Sequence, residues 1–145
     1  MSKQPAEPIV LIIENTPTQI RLYEIVGQQI GIKTKFVSSC QEGLRALESL
    51  SYDLVILDWD TQDMSGSEAL RLMRRKLLQL GRKTPLICIS AHAMKGEKEK
   101  VLASGFDDYL SKPCTIDQFK GMIHRWLPRR TRSMLRADYP SERSS

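Results

Sequence analysis

The sequence has no long apolar run and few cysteines, and these two absences exclude several classes of protein. No hydrophobic stretch approaches the roughly 20 residues needed to span a bilayer, and residues 1–8 lack the apolar core of a secretory signal. The three cysteines, Cys40, Cys88 and Cys114, are far apart and include no C-x-x-C pair, which predicts reduced thiols and argues against a zinc site. We therefore expect a cytoplasmic protein that does not insert into membranes.

Aromatic residues are also scarce, and the excess of positive charge is confined to one end of the chain. Six of the 22 basic residues but only two of the 17 acidic ones lie from Arg125 onward, so the remainder carries a net charge of +1. A basic tail can bind nucleic acid or anionic lipid. Tyr139 is the one aromatic side chain among the arginines of residues 129–145, which favours a flexible solvated extension over a nucleic-acid partner.

Five segments of the sequence have the character of strands. Three are nearly continuous apolar runs, which are typical of strands covered on both faces, at residues 9–13, 54–57 and 86–89. A short amphipathic strand is predicted at residues 33–37 and a short last strand at residues 108–110.

A segment with helical spacing of its apolar residues follows each predicted strand. Thr16-Pro17 is typical of a helix start, and Ser39 with Glu42 and Thr115 with Gln118 predict capping boxes. A polar helix is predicted over residues 95–104. The repeated strand–helix order predicts an α/β protein with the flavodoxin-like (βα)5 fold: a five-stranded parallel sheet of order 2-1-3-4-5 with helices on both faces.

Polar residues directly follow four of the five predicted strands. These residues are Glu14, Asn15, Asp58, Asp60, Ser90 and Lys112. Ligands of an open parallel sheet bind beyond the carboxyl ends of the strands, where the strand order reverses. Each residue alone is explained by a turn, a helix cap or a solvated side chain, but their joint placement predicts a functional site.

Clustered oxygen atoms beside a lysine suit phosphoryl transfer. Oxygen ligands bind Mg²⁺, which retains waters and contacts phosphate oxygens. A carboxylate such as Asp58 can attack a phosphoryl group to form an aspartyl phosphate. The reaction then needs positioning and neutralisation of the phosphoryl oxygens, for which the metal and Lys112 offer positive charge and the Ser90 hydroxyl a hydrogen bond.

These motifs resemble the receiver domain of response regulators in two-component signalling, over roughly residues 8–127. Residues 11–17 are similar to the acidic-pair loop of that family, and Asp58-Trp59-Asp60 with Met64-Ser65-Gly66 is similar to its phosphoacceptor loop. Residues 90–96 and 107–113 most resemble receivers attached to hybrid sensor histidine kinases.

The resemblance implies a role for each polar residue at the strand ends. Asp58 is the expected phosphoacceptor, with Lys112 and Ser90 as its catalytic partners. The expected Mg²⁺ ligands are Glu14, Asn15, Asp58 and the backbone carbonyl of Asp60. The Lys112-Pro113 pair matches a position at which the family usually has a cis peptide bond.

The resemblance also implies partners and a switch. A histidine kinase or a histidine phosphotransfer protein is the expected donor, and Ser90 and Tyr109 are the expected switch residues. Their reorientation is expected to change the partner affinity of the face built by the fourth helix, fifth strand and fifth helix. The resemblance also allows a homodimer formed through this face, and the sequence does not indicate a downstream target.

The expected organisation is an N-terminal extension over residues 1–7, a receiver domain over 8–128 and a basic tail over 129–145. Such a chain is a signalling domain and not an enzyme, apart from the phosphorylation and dephosphorylation of its own Asp58. No output domain is present in the sequence. Met1 and the arginine-rich end favour a stand-alone protein, and a piece of a larger hybrid protein remains an alternative.

One departure from the family pattern supports a second interpretation. The family's acidic pair is Asp-Asp or Glu-Asp, whereas here it is Glu14-Asn15. A neutral amide oxygen is expected to weaken Mg²⁺ binding and to lower the repulsion felt by Asp58. The alternative is therefore a pseudo-receiver, a protein-binding module that does not depend on phosphorylation. We favour the phosphoacceptor because Asp58, Ser90, Tyr109 and Lys112 are all present.

Two further classes receive less support. The chain has only two histidines, His92 near the predicted site and His124 beside the last apolar stripe, and no helical segment that presents a phosphodonor histidine. It is therefore not expected to be a kinase. A flavin-binding protein of similar sheet order would need glycines and hydroxyls after the first strand, where Glu14 would repel a phosphate.

Overall fold

The structure, a computed structural model, describes residues 7–60, 63–91 and 95–127. The strands are β1 (Ile9–Ile13), β2 (Lys33–Val37), β3 (Leu54–Asp58), β4 (Leu86–Ser90) and β5 (Asp108–Ser111). The helices are α1 (Pro17–Ile30), α2 (Cys40–Ser49), α3 (Gly66–Gln79), α4 (Glu97–Ala103) and α5 (Ile116–Trp126).

The five strands form one sheet of order β2-β1-β3-β4-β5, and all four neighbouring pairs are parallel. This confirms the predicted order. The register places Ile13 beside Leu57 and Asp58 beside Ile89, so the strands end at nearly the same level. The residues that follow β1, β3, β4 and β5 consequently emerge at one edge of the sheet.

Helices cover both faces of the sheet, as predicted. Leu11 and Ile13 of β1 belong to one apolar cluster, which also contains side chains of α2, α3 and α4. Val10 and Ile12 belong to a second cluster with side chains of α1 and α5. Neighbouring residues of β1 point to opposite faces, so its continuous apolar sequence is explained by burial on both sides.

The helix starts follow the predicted signals with two corrections. Thr115 and Gln118 form the complete capping box of α5, and Ser39 accepts from the Glu42 backbone N–H at α2. The Glu42 carboxylate, however, accepts from the backbone N–H of Ser38 instead of closing the box on Ser39. Helix α4 begins at Glu97 and not at residue 95, because Gly96 has a φ of 85°, which is not helical.

The three cysteines are free, with Cys40 and Cys88 buried and Cys114 partly buried. Across the described ranges, no helix is both long enough and apolar enough to cross a membrane. Several predicted features lie outside the described residues. These are most of the N-terminal extension, His92, the end of the receiver domain at Pro128 and the basic tail over residues 129–145.

Candidate functional site

Two acidic side chains are buried at the carboxyl edge of the sheet. Glu14 directly follows β1, and its backbone N–H donates to the Val37 carbonyl at 3.0 Å, which continues the β1–β2 ladder. Asp58 is the last residue of the central strand β3. Glu14 is 1% exposed and Asp58 is 4% exposed. Because buried carboxylates are costly without a cationic partner, this pair needs compensation from a third group.

Lys112 supplies that compensation. Its Nζ lies 3.1 Å from Glu14 Oε1 and 3.0 Å from Asp58 Oδ2. The lysine follows β5, and its backbone N–H donates to the Ser90 carbonyl at 2.8 Å, which fixes the segment against the end of β4. The Lys112–Pro113 peptide bond is cis. The structure thus brings the ends of β1, β3 and β5 together around one ammonium group.

Backbone N–H groups hold the remaining carboxylate oxygens in place. Asp58 Oδ1 accepts from the Asp60 backbone N–H at 3.0 Å, and Glu14 Oε2 accepts from the Thr16 backbone N–H at 3.2 Å. Asp60 is partly buried, and its Oδ2 accepts from the Ala91 backbone N–H at 3.4 Å. The Asp60 side chain therefore joins the segments after β3 and β4, whereas Glu14 and Asp58 each accept from the segment that follows their own strand.

The pKa directions reflect this crowding of charge. Burial raises the pKa of the Glu14 carboxyl, and the hydrogen bond to Asp58 and its negative charge add to the rise, whereas Lys112 opposes it. Burial alone lowers the pKa of Lys112, but its contacts with Asp58 and Glu14 outweigh burial and raise that pKa. With both carboxylates ionised, one ammonium leaves an excess negative charge at the site.

The donor atoms at this site are oxygens, which are the ligands that a divalent cation such as Mg²⁺ prefers. Mg²⁺ is usually held by one or two carboxylates and several waters instead of a complete protein cage. Within the described ranges, no group of three or more acidic, histidine or cysteine side chains could hold a metal ion. Glu14 and Asp58 supply two carboxyl groups beside a single ammonium group. Asn15 is exposed at the same edge and offers a neutral oxygen.

Ser90 and Tyr109 form a second, adjacent pair. Ser90 ends β4 and is fully buried, and Tyr109 lies in β5 and is 9% exposed. Burial raises the pKa of the Tyr109 phenol, while a hydrogen bond between its side chain and that of Ser90 acts in the opposite direction. A change in the position of the Ser90 side chain would therefore alter its hydrogen bond with Tyr109.

Two side chains to which the sequence analysis assigns no role, Asp63 and Trp59, contact the starts of α2 and α3. The Asp63 carboxylate accepts from the backbone N–H groups of Cys40 at 3.1 Å and Gln41 at 3.0 Å, and so caps α2. The ring of Trp59 lies against Gly66, where a Cβ atom would collide with it. The partner of Asp63 is distant in sequence, so no local pattern predicts this cap.

Known proteins match most of this chain in sequence. The family model described as response regulator receiver domain matches residues 10–124. The signal transduction histidine-protein kinase BarA of Shigella flexneri is 32% identical over 122 residues, which cover 82% of this chain and 13% of BarA. The chain thus spans only a small part of that relative's length.

Solved structures show the same fold. The receiver domain of sensor histidine kinase PA1611 from Pseudomonas aeruginosa PAO1, with a magnesium ion coordinated in its active site cleft, matches with a TM-score of 0.73 and 27% identity. The match covers 83% of this chain and 98% of that one. The receiver domain of Ssk1 from Saccharomyces cerevisiae, crystallised with the histidine phosphotransfer protein Ypd1, matches with a TM-score of 0.75. It is 22% identical, over 92% and 94% of the two chains, and supports the fold alone. The family match covers most of the chain, which therefore belongs to the response regulator receiver domains of two-component signalling.

Proposed function

We propose that this chain is a phosphoacceptor in a two-component phosphorelay and that Asp58 receives the phosphoryl group from a phosphohistidine. The observation that carries the proposal is the position of Lys112 Nζ, 3.0 Å from Asp58 Oδ2 and 3.1 Å from Glu14 Oε1. A surface salt bridge needs no such burial, whereas an acyl phosphate needs a fixed positive charge beside the acceptor.

The transfer is a direct displacement. A carboxylate oxygen of Asp58 attacks phosphorus and forms the P–O bond, while the P–N bond to the donor histidine breaks and its electron pair stays on the imidazole nitrogen. Lys112 exchanges its contact with the carboxylate for one with a phosphoryl oxygen. The Asp60 backbone N–H, already 3.0 Å from Asp58 Oδ1, keeps the carboxyl group oriented.

A bound Mg²⁺ would supply a second positive charge for the phosphoryl oxygens. The residues that would hold it are Glu14, Asn15, Asp58 and the backbone carbonyl of Asp60. Asn15 brings no charge, so weaker metal binding is expected than with a second carboxylate at this position. The magnesium in the cleft of the PA1611 receiver domain supports the choice of metal.

The switch proposal concerns Ser90 and Tyr109. The buried Ser90 hydroxyl donates to a phosphoryl oxygen once Asp58 is modified, and the Tyr109 side chain, which is hydrogen-bonded to Ser90, moves in response. The surface formed by α4, β5 and α5 then changes its affinity for a partner. The expected donor is a histidine kinase or a histidine phosphotransfer protein, as Ypd1 is the partner in the Ssk1 complex. The receiver unit is expected to span residues 8–128.

The test is incubation with a small phosphodonor and Mg²⁺, followed by intact mass measurement. The wild-type protein should gain one phosphoryl group, and Asp58→Asn should gain none. Asp117→Asn removes an exposed carboxylate in the first turn of α5 and is the matched control, which should gain the group normally. Modification of Asp58→Asn at the wild-type rate would refute Asp58 as the acceptor.

A pseudo-receiver is the second candidate, and Asn15 is the observation that favours it. In such a protein the Lys112 ammonium would serve as a permanent structural bridge between Glu14 and Asp58, with no metal required. The variant Asn15→Asp separates the two functions. A wild-type protein that stays unmodified while Asn15→Asp gains the phosphoryl group would favour the pseudo-receiver.

A further inference from the structure

A groove of about 330 Å³ lies between α2 and α3, on the sheet face that also carries α4. Its lining side chains recur at helical spacing on both helices. Those that matter here are Leu44, Arg45 and Glu48 from α2, and Leu72, Arg75 and Lys76 from α3. Such spacing places the side chains of each helix on one stripe, so the two stripes face each other across the groove.

The groove is positively charged above an apolar floor. The acidic residue in its lining is Glu48, whose carboxylate forms a salt bridge with Lys76 at 3.1 Å, so this pair carries no net charge. Arg45 and Arg75 are exposed, and neither forms a salt bridge with any residue in the described part of the chain. Leu44 packs partly against the core. The groove thus presents two exposed guanidinium groups beside leucine side chains, and that of Arg45 also interacts electrostatically with the Glu42 carboxylate.

Both helices of the groove are anchored to the segment that follows Asp58. Asp63 caps the start of α2 through the N–H groups of Cys40 and Gln41. The start of α3 at Gly66 packs against the ring of Trp59, which directly follows Asp58 in the chain. Displacement of Asp63 would therefore shift the first turn of α2, and displacement of Trp59 that of α3, and either would change the width of the groove.

We propose that the α2–α3 groove docks an acidic amphipathic helix of a partner protein, with an affinity that depends on the state of Asp58. Carboxylates of the partner pair with Arg45 and Arg75, and its apolar stripe covers Leu44 and Leu72. A leucine floor between two helices suits a helix better than a sugar-phosphate backbone. The dependence on Asp58 rests on the function proposed above, whereas the docking itself does not.

The probe is a synthetic amphipathic helical peptide with glutamates beside a leucine stripe, titrated into isotope-labelled protein at physiological salt. Chemical shift changes should concentrate on α2 and α3. The double variant Arg45→Glu/Arg75→Glu should lose about tenfold or more in affinity, and it should bind a peptide with lysines in place of the glutamates. Lys83→Glu reverses an exposed charge outside this groove and is the matched control, which should bind the acidic peptide normally.

Shift changes on other surfaces, or equal binding by the double variant, would overturn the docking. So would duplex DNA that binds through Arg45 and Arg75 when the peptide does not. Beryllofluoride with Mg²⁺ then tests the coupling: the peptide affinity should change in the wild type and stay constant in Asp58→Asn. Beryllofluoride that binds without changing the affinity disproves the coupling alone. Failure of beryllofluoride to bind counts against the phosphoacceptor function, and the peptide titration still decides the docking.

Discussion

The two edges of the sheet use the same residue types in different ways. At the amino edge, acidic side chains contact the first residues of strands: Asp53 accepts from the Ile9 backbone N–H at 2.9 Å, and Asp107 accepts from that of Leu86 at 2.8 Å. Asp107 also binds Arg74 at 2.8 Å. At the carboxyl edge, Glu14 and Asp58 instead share a single ammonium group.

The difference lies in compensation. A carboxylate that accepts from backbone N–H groups at the surface is satisfied by the fold and stabilises it. At the carboxyl edge, two buried carboxyl groups share one lysine. Burial and the neighbouring Asp58 raise the pKa of the Glu14 carboxyl. Ionisable groups in such an environment are typical of functional sites, which is why we propose the carboxyl edge as the functional one.

The largest expected effect is that of Lys112→Met. Removal of the ammonium leaves Glu14 and Asp58 buried without their cation, and we expect a loss of about 3 kcal/mol in unfolding free energy near neutral pH. Phosphoryl uptake should fall by about 100-fold or more. Urea denaturation and timed intact mass measurements would check both. Lys98→Met, at an exposed position of α4, is the control. If Lys112→Met kept the unfolding free energy and the phosphoryl uptake rate of the wild type, Lys112 would not be the group that compensates Glu14 and Asp58.

Asp107→Ala should affect stability alone. The variant leaves the Leu86 backbone N–H and the Arg74 guanidinium without their carboxylate, and we expect a loss of about 2 kcal/mol in unfolding free energy. The rate of phosphoryl uptake by the folded variant should match that of the wild type. A clear drop in the uptake rate of the folded variant would show that the amino edge also serves the reaction.

Tyr23→Phe should make the protein more stable. The Tyr23 hydroxyl is buried and has no hydrogen-bond partner among the described residues. Burial raises the pKa of this phenol, and Cys114, Glu14 and Asp58 add to the rise. Its removal should raise the unfolding free energy by about 1 kcal/mol, as measured by thermal or urea unfolding. A destabilised variant would reveal a polar partner of this hydroxyl.

The smallest expected effect is on the pH dependence of stability. The pKa of Glu14 is raised in the folded state, so its contribution is present below its ordinary pKa and is lost as the pH rises through the folded value. Glu14→Gln removes this loss. The unfolding free energy of the variant should therefore change more favourably than that of the wild type between about pH 4 and pH 7. Urea titrations with a metal chelator would measure it, and identical pH profiles would contradict the assignment.

Local signals in the sequence predicted most of the elements and failed where a partner was distant. The capping box of Thr115 and Gln118 involves residues three positions apart, and it forms as predicted. The cap of α2 by Asp63 spans more than twenty residues, and no periodicity indicates it. The start of α4 was predicted two residues early, because a composition-based prediction does not register the left-handed conformation of Gly96.

The sequence by itself determined the strand–helix alternation, the parallel sheet order and the identity of the polar residues at the strand ends, because these follow from periodicity and from the few topologies that right-handed crossovers allow. Only the tertiary structure decided how those residues meet. Lys112 is 54 positions from Asp58 and 98 from Glu14 in the chain. Their contact depends on the strand register and on the burial of two carboxyl groups beside one ammonium group. No local sequence pattern predicts either feature.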